Sequence, residues 1–140
     1  MGKYFTLNEL VYSITARKYG IDNTPPEEVK KNLEELIECL DGLRKAWGSP
    51  IIVTSGYRCE ELNEKVGGSK NSAHKYGWGC DMQPANNKKG KFFEFCKEYF
   101  KDKDFDELIL ESNKQGAVWQ HFALKSITGK QRRKVKMLNT

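Results

Sequence analysis

The chain has 140 residues, a formal net charge of +5, 38% hydrophobic residues and 11% aromatic residues. That is the length of one domain, enough to bury roughly two-thirds of its unfolded surface and too apolar for a disordered tail. No apolar run approaches the roughly 20 residues of a membrane span, and the N-terminus lacks a secretion-signal core, so synthesis and folding in the cytosol are expected. Met1-Gly2-Lys3-Tyr4-Phe5-Thr6 formally fits an N-myristoylation pattern, although Phe5 reads as a core residue.

Thr6-Leu7-Asn8-Glu9 is a capping box, and it predicts a helix carrying Leu10, Val11, Ile14 and Ala16 that Gly20 ends. Thr24-Pro25-Pro26-Glu27-Glu28 predicts the start of a second helix, with Thr24 as its cap. The apolar stripe of that helix is Val29, Leu33, Leu36, Ile37, Leu40, Leu43 and Trp47, and Gly48-Ser49-Pro50 ends it. Both helices read as scaffold.

Ile51-Ile52-Val53-Thr54 reads as a buried strand, followed by Ser55-Gly56-Tyr57-Arg58 and a short helix from Glu60 to Val66. Gly79 to Gln83 is a strand candidate stopped by Pro84, and Lys91 to Lys101 repeats aromatics at helical spacing. Phe105 to Glu111 and Val118 to Leu124 read as strands joined by a turn over Ser112 to Gly116. Val135 to Leu138 adds a candidate edge strand. Helices first and strands later argue an α+β fold, with helices packed on a mainly antiparallel sheet. No linker or repeat divides it, so one domain over residues 1–140 is expected, with a core at about 48–124 and a tail at 125–140.

The tail holds six basic residues (Lys125, Lys130, Arg132, Arg133, Lys134, Lys136) and no acid, leaving 18 basic against 19 acidic residues elsewhere. Such a tail suits an anionic polymer such as cell wall or nucleic acid, or else marks a solvated edge strand. Cys39, Cys59, Cys80 and Cys96 form no C-x-x-C pair and read as free, mostly buried thiols. Cys80 adjoins a candidate ligand and is kept as a conceivable fourth donor.

Only two histidines are present, His74 and His121. His74 lies in Ser72-Ala73-His74-Lys75-Tyr76-Gly77-Trp78-Gly79-Cys80-Asp81, seven residues before a carboxylate. Two imidazoles and one carboxylate form a three-ligand set for zinc, with a fourth position free for water. On a helix, His74 and Asp81 would stand about 10 Å apart, too far to share an ion whose bonds are about 2 Å. Gly77 and Gly79 break such a helix and let the chain fold back. His121 lies in a strand on the face of Trp119 and Ala123, where it is either a buried hydrogen-bonded histidine or the third ligand.

Ser55-Gly56-Tyr57-Arg58, Leu62-Asn63, Val66-Gly67-Gly68-Ser69, Ser72-x-His74-x-x-Gly77, Asp81 and Trp119-x-His121 occur in an order found in one family. The chain resembles the zinc peptidases of peptidoglycan stem peptides: D-alanyl-D-alanine carboxypeptidases and dipeptidases, and phage L-alanyl-D-glutamate endolysins, with the hedgehog-type fold. The resemblance runs from about Phe5 to Leu124. It implies one Zn2+ ion held by His74, Asp81 and His121, and substrate contacts from Arg58, Ser72 and Tyr57. Arg58 would grip a substrate carboxylate or carbonyl; its ordinary alternative is an ion pair with Glu60 or Glu61. Ser72 is explained nearly as well by turn formation.

Many members carry an acid three residues before the last histidine, where this chain has Val118. A zinc hydrolase wants a carboxylate to take the proton from water and pass it to the leaving amine. Glu111 is the first candidate: a turn centred on Lys114-Gln115 would set it across from Val118. Asp106 is the second. The expected function is zinc-dependent hydrolysis of a peptidoglycan stem peptide, with Glu111 and Arg58 catalytic. A non-catalytic wall-binding or signalling module on the same fold is the alternative. The expected protein is a monomer that needs neither membrane nor nucleic acid and meets the wall after phage lysis or aboard a virion.

Overall fold

A computed structural model describes residues 2–139. Met1 of the acylation pattern and Thr140 of the tail lie outside the described residues. The capping box forms as expected: Thr6 accepts from the Glu9 backbone and the Glu9 side chain reaches back to Thr6. The helix it starts is short, however. α1 spans Leu7–Val11, and a new helix, α2, runs Ile14–Tyr19 from a Ser13 cap. Ser13 competes for the chain by accepting from the Ala16 N–H at 3.1 Å, which restarts the helix where one continuous segment was expected.

α3 spans Glu27–Trp47, and Pro26 rather than Thr24 stands at its N-cap. Thr24 instead bonds the Asp22 carboxylate through its backbone and hydroxyl. All six aliphatic residues of the α3 stripe are buried, and the Trp47 ring packs at 5.1 Å on Phe92. The short helix expected after Arg58 is α4, Glu60–Lys65, and Phe92 belongs to α5, Lys89–Phe100, which buries Phe92, Phe93, Cys96 and Phe100.

The sheet contains β1 (Ile51–Ser55), β2 (Gly79–Pro84), β3 (Glu107–Ser112), β4 (Val118–Ala123) and β5 (Lys134–Asn139), in the order β1-β2-β4-β3-β5. All pairs are antiparallel except β3 with β5, which is parallel, so the edge strand expected in the tail is present. Its backbone is tied in by a buried acid. Asp106 accepts from the Arg132 N–H, Nε and Nη2 at 3.1, 2.7 and 2.7 Å, and its carbonyl accepts from the Lys134 N–H. No helix among the described residues is long and apolar enough to cross a membrane.

Strand register sorts the chemistry by face. Cys80, Phe122 and Leu108 align across β2, β4 and β3, and all three lie in the hydrophobic core beneath α3 and α5. The adjacent row, Ser55, Asp81, His121 and Ile109, points the other way because side chains alternate along a strand. Cys80 therefore faces the core, its thiol pushed well up by burial, and the idea of it as a fourth donor is withdrawn. All four cysteines are free thiols.

The N-terminal helices are bonded to the strand exit behind that second row. The Tyr57 N–H donates to the Leu10 carbonyl at 2.6 Å. Asn23, itself buried, donates to the Val11 and Tyr57 carbonyls and accepts from the Cys59 N–H at 2.8 Å. Gly56 makes this approach feasible, since a Cβ there would stand 2.1 Å from the Leu10 carbonyl oxygen.

Candidate metal centre and cleft

His74 stands on a single 3-10 turn, Ala73–Tyr76, capped by the Ser72 hydroxyl, which accepts from the His74 N–H at 3.2 Å. Gly77 ends the turn in the left-handed region at φ +78°, and β2 then carries Asp81 back beside it. His121 enters from β4, directly across from Asp81. The ligand atoms of His74, Asp81 and His121 all lie within 4.8 Å of one another. The irregular backbone expected between residues 74 and 81 is thus what brings the first two together.

His74 Nδ1 donates to the Gly56 carbonyl at 2.7 Å, which fixes the tautomer and leaves Nε2 as a lone pair. Burial holds this imidazole below its ordinary pKa against the pull of Asp81, so it is neutral near pH 7. Nε2 nevertheless faces Asp81 Oδ1 at 3.3 Å. Two acceptors face each other there, an arrangement that a cation satisfies. His121 Nδ1 faces the same oxygen at 3.3 Å. Burial would raise Asp81 and lower His121, but the two imidazoles outweigh burial at Asp81 and hold it below the usual carboxylate range, and Asp81 and Glu107 together lift His121 to about 9. Two imidazole nitrogens and a carboxylate oxygen converging at a cleft floor are the donors that zinc takes.

Arg58 is held beside this cluster. Its Nε donates to Ser55 Oγ at 3.1 Å, Nη1 to Asn63 Oδ1 at 3.3 Å and Nη2 to Asp81 Oδ2 at 3.4 Å. A guanidinium has five N–H donors, so one remains on each terminal nitrogen. The surface ion pair considered for Arg58 does not form; Glu60 pairs with Lys75 instead. Buried Asn63 also donates to the Ser69 carbonyl and so sets the Gly67–Gly68–Ser69 loop against Arg58.

The cluster opens into a cleft of about 800 Å³, with Arg58 and Ser72 on one side and Glu107, Glu111 and Trp119 on another. Tyr57 is not among the lining residues: it is 6% exposed and packed in the core, so its expected substrate contact is withdrawn. Tyr57 lies in the irregular segment that follows β1, between Gly56, whose carbonyl accepts from the His74 ring, and Arg58, whose side chain borders the cleft.

Glu111 pairs with Trp119, not Val118; Val118 pairs with Ser112. Asn113 and Gly116 set this register. Asn113 Oδ1 accepts from the Gln115 and Ala117 N–H groups, and Gly116 lies at φ +87°, giving a connection centred on Gln115. The one-residue shift carries Glu111 from the core side to the side of His121. Burial lifts its carboxyl above the ordinary value, with His121 drawing it partly back. Asp106, although it borders the cleft, is committed to its paired contacts with Arg132. The residue that sequence reasoning missed is Glu107, whose Oε1 lies 3.4 Å from His121 Nε2. Its parity with Glu111 along β3 is the signal that could have found it.

An α+β domain with this donor set on the floor of a cleft has the construction of a metal-dependent hydrolase. The Peptidase M15 family profile matches residues 3–116, and the chain belongs to that family of metallopeptidases. M15 peptidases are zinc-dependent, in keeping with the His74–Asp81–His121 cluster. A search of curated proteins gave no match.

Proposed function

We propose that the protein is a zinc peptidase that hydrolyses the stem peptides of peptidoglycan. The observation that carries the reading is the convergence of His74, Asp81 and His121 in a cleft that Arg58 and Glu111 also border. Zinc bound there would supply Lewis-acid polarisation of a substrate carbonyl and of a water. The chain's own residues do the rest. Glu111, with its raised pKa, takes the proton of the attacking water and hands it to the leaving amine. The two uncommitted N–H groups of Arg58 hold a substrate carboxylate or carbonyl in place. Ser72 keeps the His74 turn in shape through its cap. The basic tail draws the protein to anionic wall polymer once it has been released from the cell.

Digestion of purified peptidoglycan, with mass spectrometry of the products, tests activity and bond together. New termini should appear with the zinc-loaded wild type and be absent with His74→Ala, which should also lose its zinc. A wild type that binds zinc and wall but releases no product would favour the non-catalytic module, for which the valine at position 118 is the motivating feature.

A further inference from the structure

We infer that Glu107 is a positioning residue for His121, clamped by Arg132 from the segment that follows the core. This rests on reading His74, Asp81 and His121 as the zinc ligands. The His121 ring is spanned by two carboxylates, one at each nitrogen: Asp81 Oδ1 at 3.3 Å from Nδ1 and Glu107 Oε1 at 3.4 Å from Nε2. Glu107 and His121 have side chains only 21% and 12% exposed, so the contact is sheltered from solvent. Glu107 stands across from Ala123 on β4, and that small side chain leaves the imidazole two residues along within reach.

The second oxygen of Glu107 has its own partner. Oε2 lies 3.8 Å from Arg132 Nη2, and Arg132 is anchored by its fork on buried Asp106. Asp106, Arg132, Glu107 and His121 therefore form one continuous ionic chain ending at the ring. With Glu107 facing Nε2, the neutral form of the ring is held in the tautomer whose lone pair is on Nδ1, the nitrogen beside Asp81, and that nitrogen's basicity is raised. Arg132 lies beyond residues 3–116, so part of this support comes from outside the span that matches the family.

The test is zinc affinity by chelator competition in wild type, Glu107→Ala, Glu107→Gln and Arg132→Met. Nitrogen NMR of the His121 ring, with and without zinc, accompanies it. Outer partners of metal-bound histidines are typically worth about 10–100-fold in affinity, and Glu107→Ala should lose that much. Glu107→Gln, which still accepts through its amide oxygen, should fall between Ala and wild type. Arg132→Met should weaken zinc and broaden the ring signals. The wild-type ring should carry its proton on Nε2 in the zinc form. Wild-type affinity in both Glu107 variants would overturn the inference and leave the ligand assignment standing. Should the alanine variant fail to fold, the glutamine variant alone decides by the same criterion. A wild type that takes no zinc would overturn the ligand assignment and this inference with it.

Discussion

His74 and His121 share one carboxylate yet differ in protonation. His74 is nine-tenths and more enclosed, with its second nitrogen spent on the neutral Gly56 carbonyl, and burial keeps it uncharged. His121 has a carboxylate at each nitrogen, and the proton goes there. At Glu111 burial outweighs the pull of His121 and Arg58, lifting the carboxyl toward the range of a useful base. Glu111→Gln should keep its zinc and its melting temperature while kcat falls by about 10²–10⁴-fold. Metal analysis and a peptidoglycan turnover assay on the same preparation check this. Turnover near that of wild type would remove Glu111 from the proton path.

At the scale of elements, the capping box, the α3 stripe and the β3–β4 hairpin were legible because each follows from local periodicity and turn chemistry. The register of the hairpin was not. It depends on whether Asn113 and Gly116 close a two- or three-residue connection, and one residue exchanges the two faces. The burial of Tyr57 was illegible for a related reason, since the irregular segment after β1 obeys no period. Asp106 illustrates a third gap: an acid read as a spare base proves to be the anchor of β5. Burial would raise its pKa, but the bonds from Arg132 outweigh burial and hold it below the ordinary value. A carboxyl depressed in the folded state adds stability that is complete above its unfolded pKa of about 3.9 and is lost as pH falls through the folded value. Wild type should therefore lead Asp106→Asn in melting temperature near neutral pH, and the lead should shrink below about pH 4. Thermal melts of both proteins across that range check it, and a lead that persisted in acid would contradict the anchor.

Across the whole molecule, the sheet divides a dry face under α3 and α5 from a cleft face lined by acids and histidines. β5 extends the cleft face with Lys134 and Lys136, which pair in register with Glu107 and Ile109. Both lysines are exposed, as is Lys130 at the cleft border. Replacing Lys130, Lys134 and Lys136 by glutamine should weaken association with anionic wall polymer at low salt and leave melting temperature within about 4 °C, as expected of surface changes. Sedimentation with purified wall across a salt series reads this out. Equal binding by both proteins at low salt would deny the tail that role.

The bonds from Leu10 and Asn23 to Tyr57 and Cys59 have a dynamic consequence. The two amides behind Arg58 and His74 are shielded by partners supplied from α1 and from the segment that follows α2, not from the sheet. Opening of residues 7–23 would expose them even while every strand stayed paired. In hydrogen–deuterium exchange, Tyr57 and Cys59 should accordingly exchange in step with α1 and α2 and ahead of the β2 and β4 amides, as members of one cooperative unit. The metal-binding floor of the cleft would then be only as long-lived as the docking of two short helices at the opposite end of the sequence.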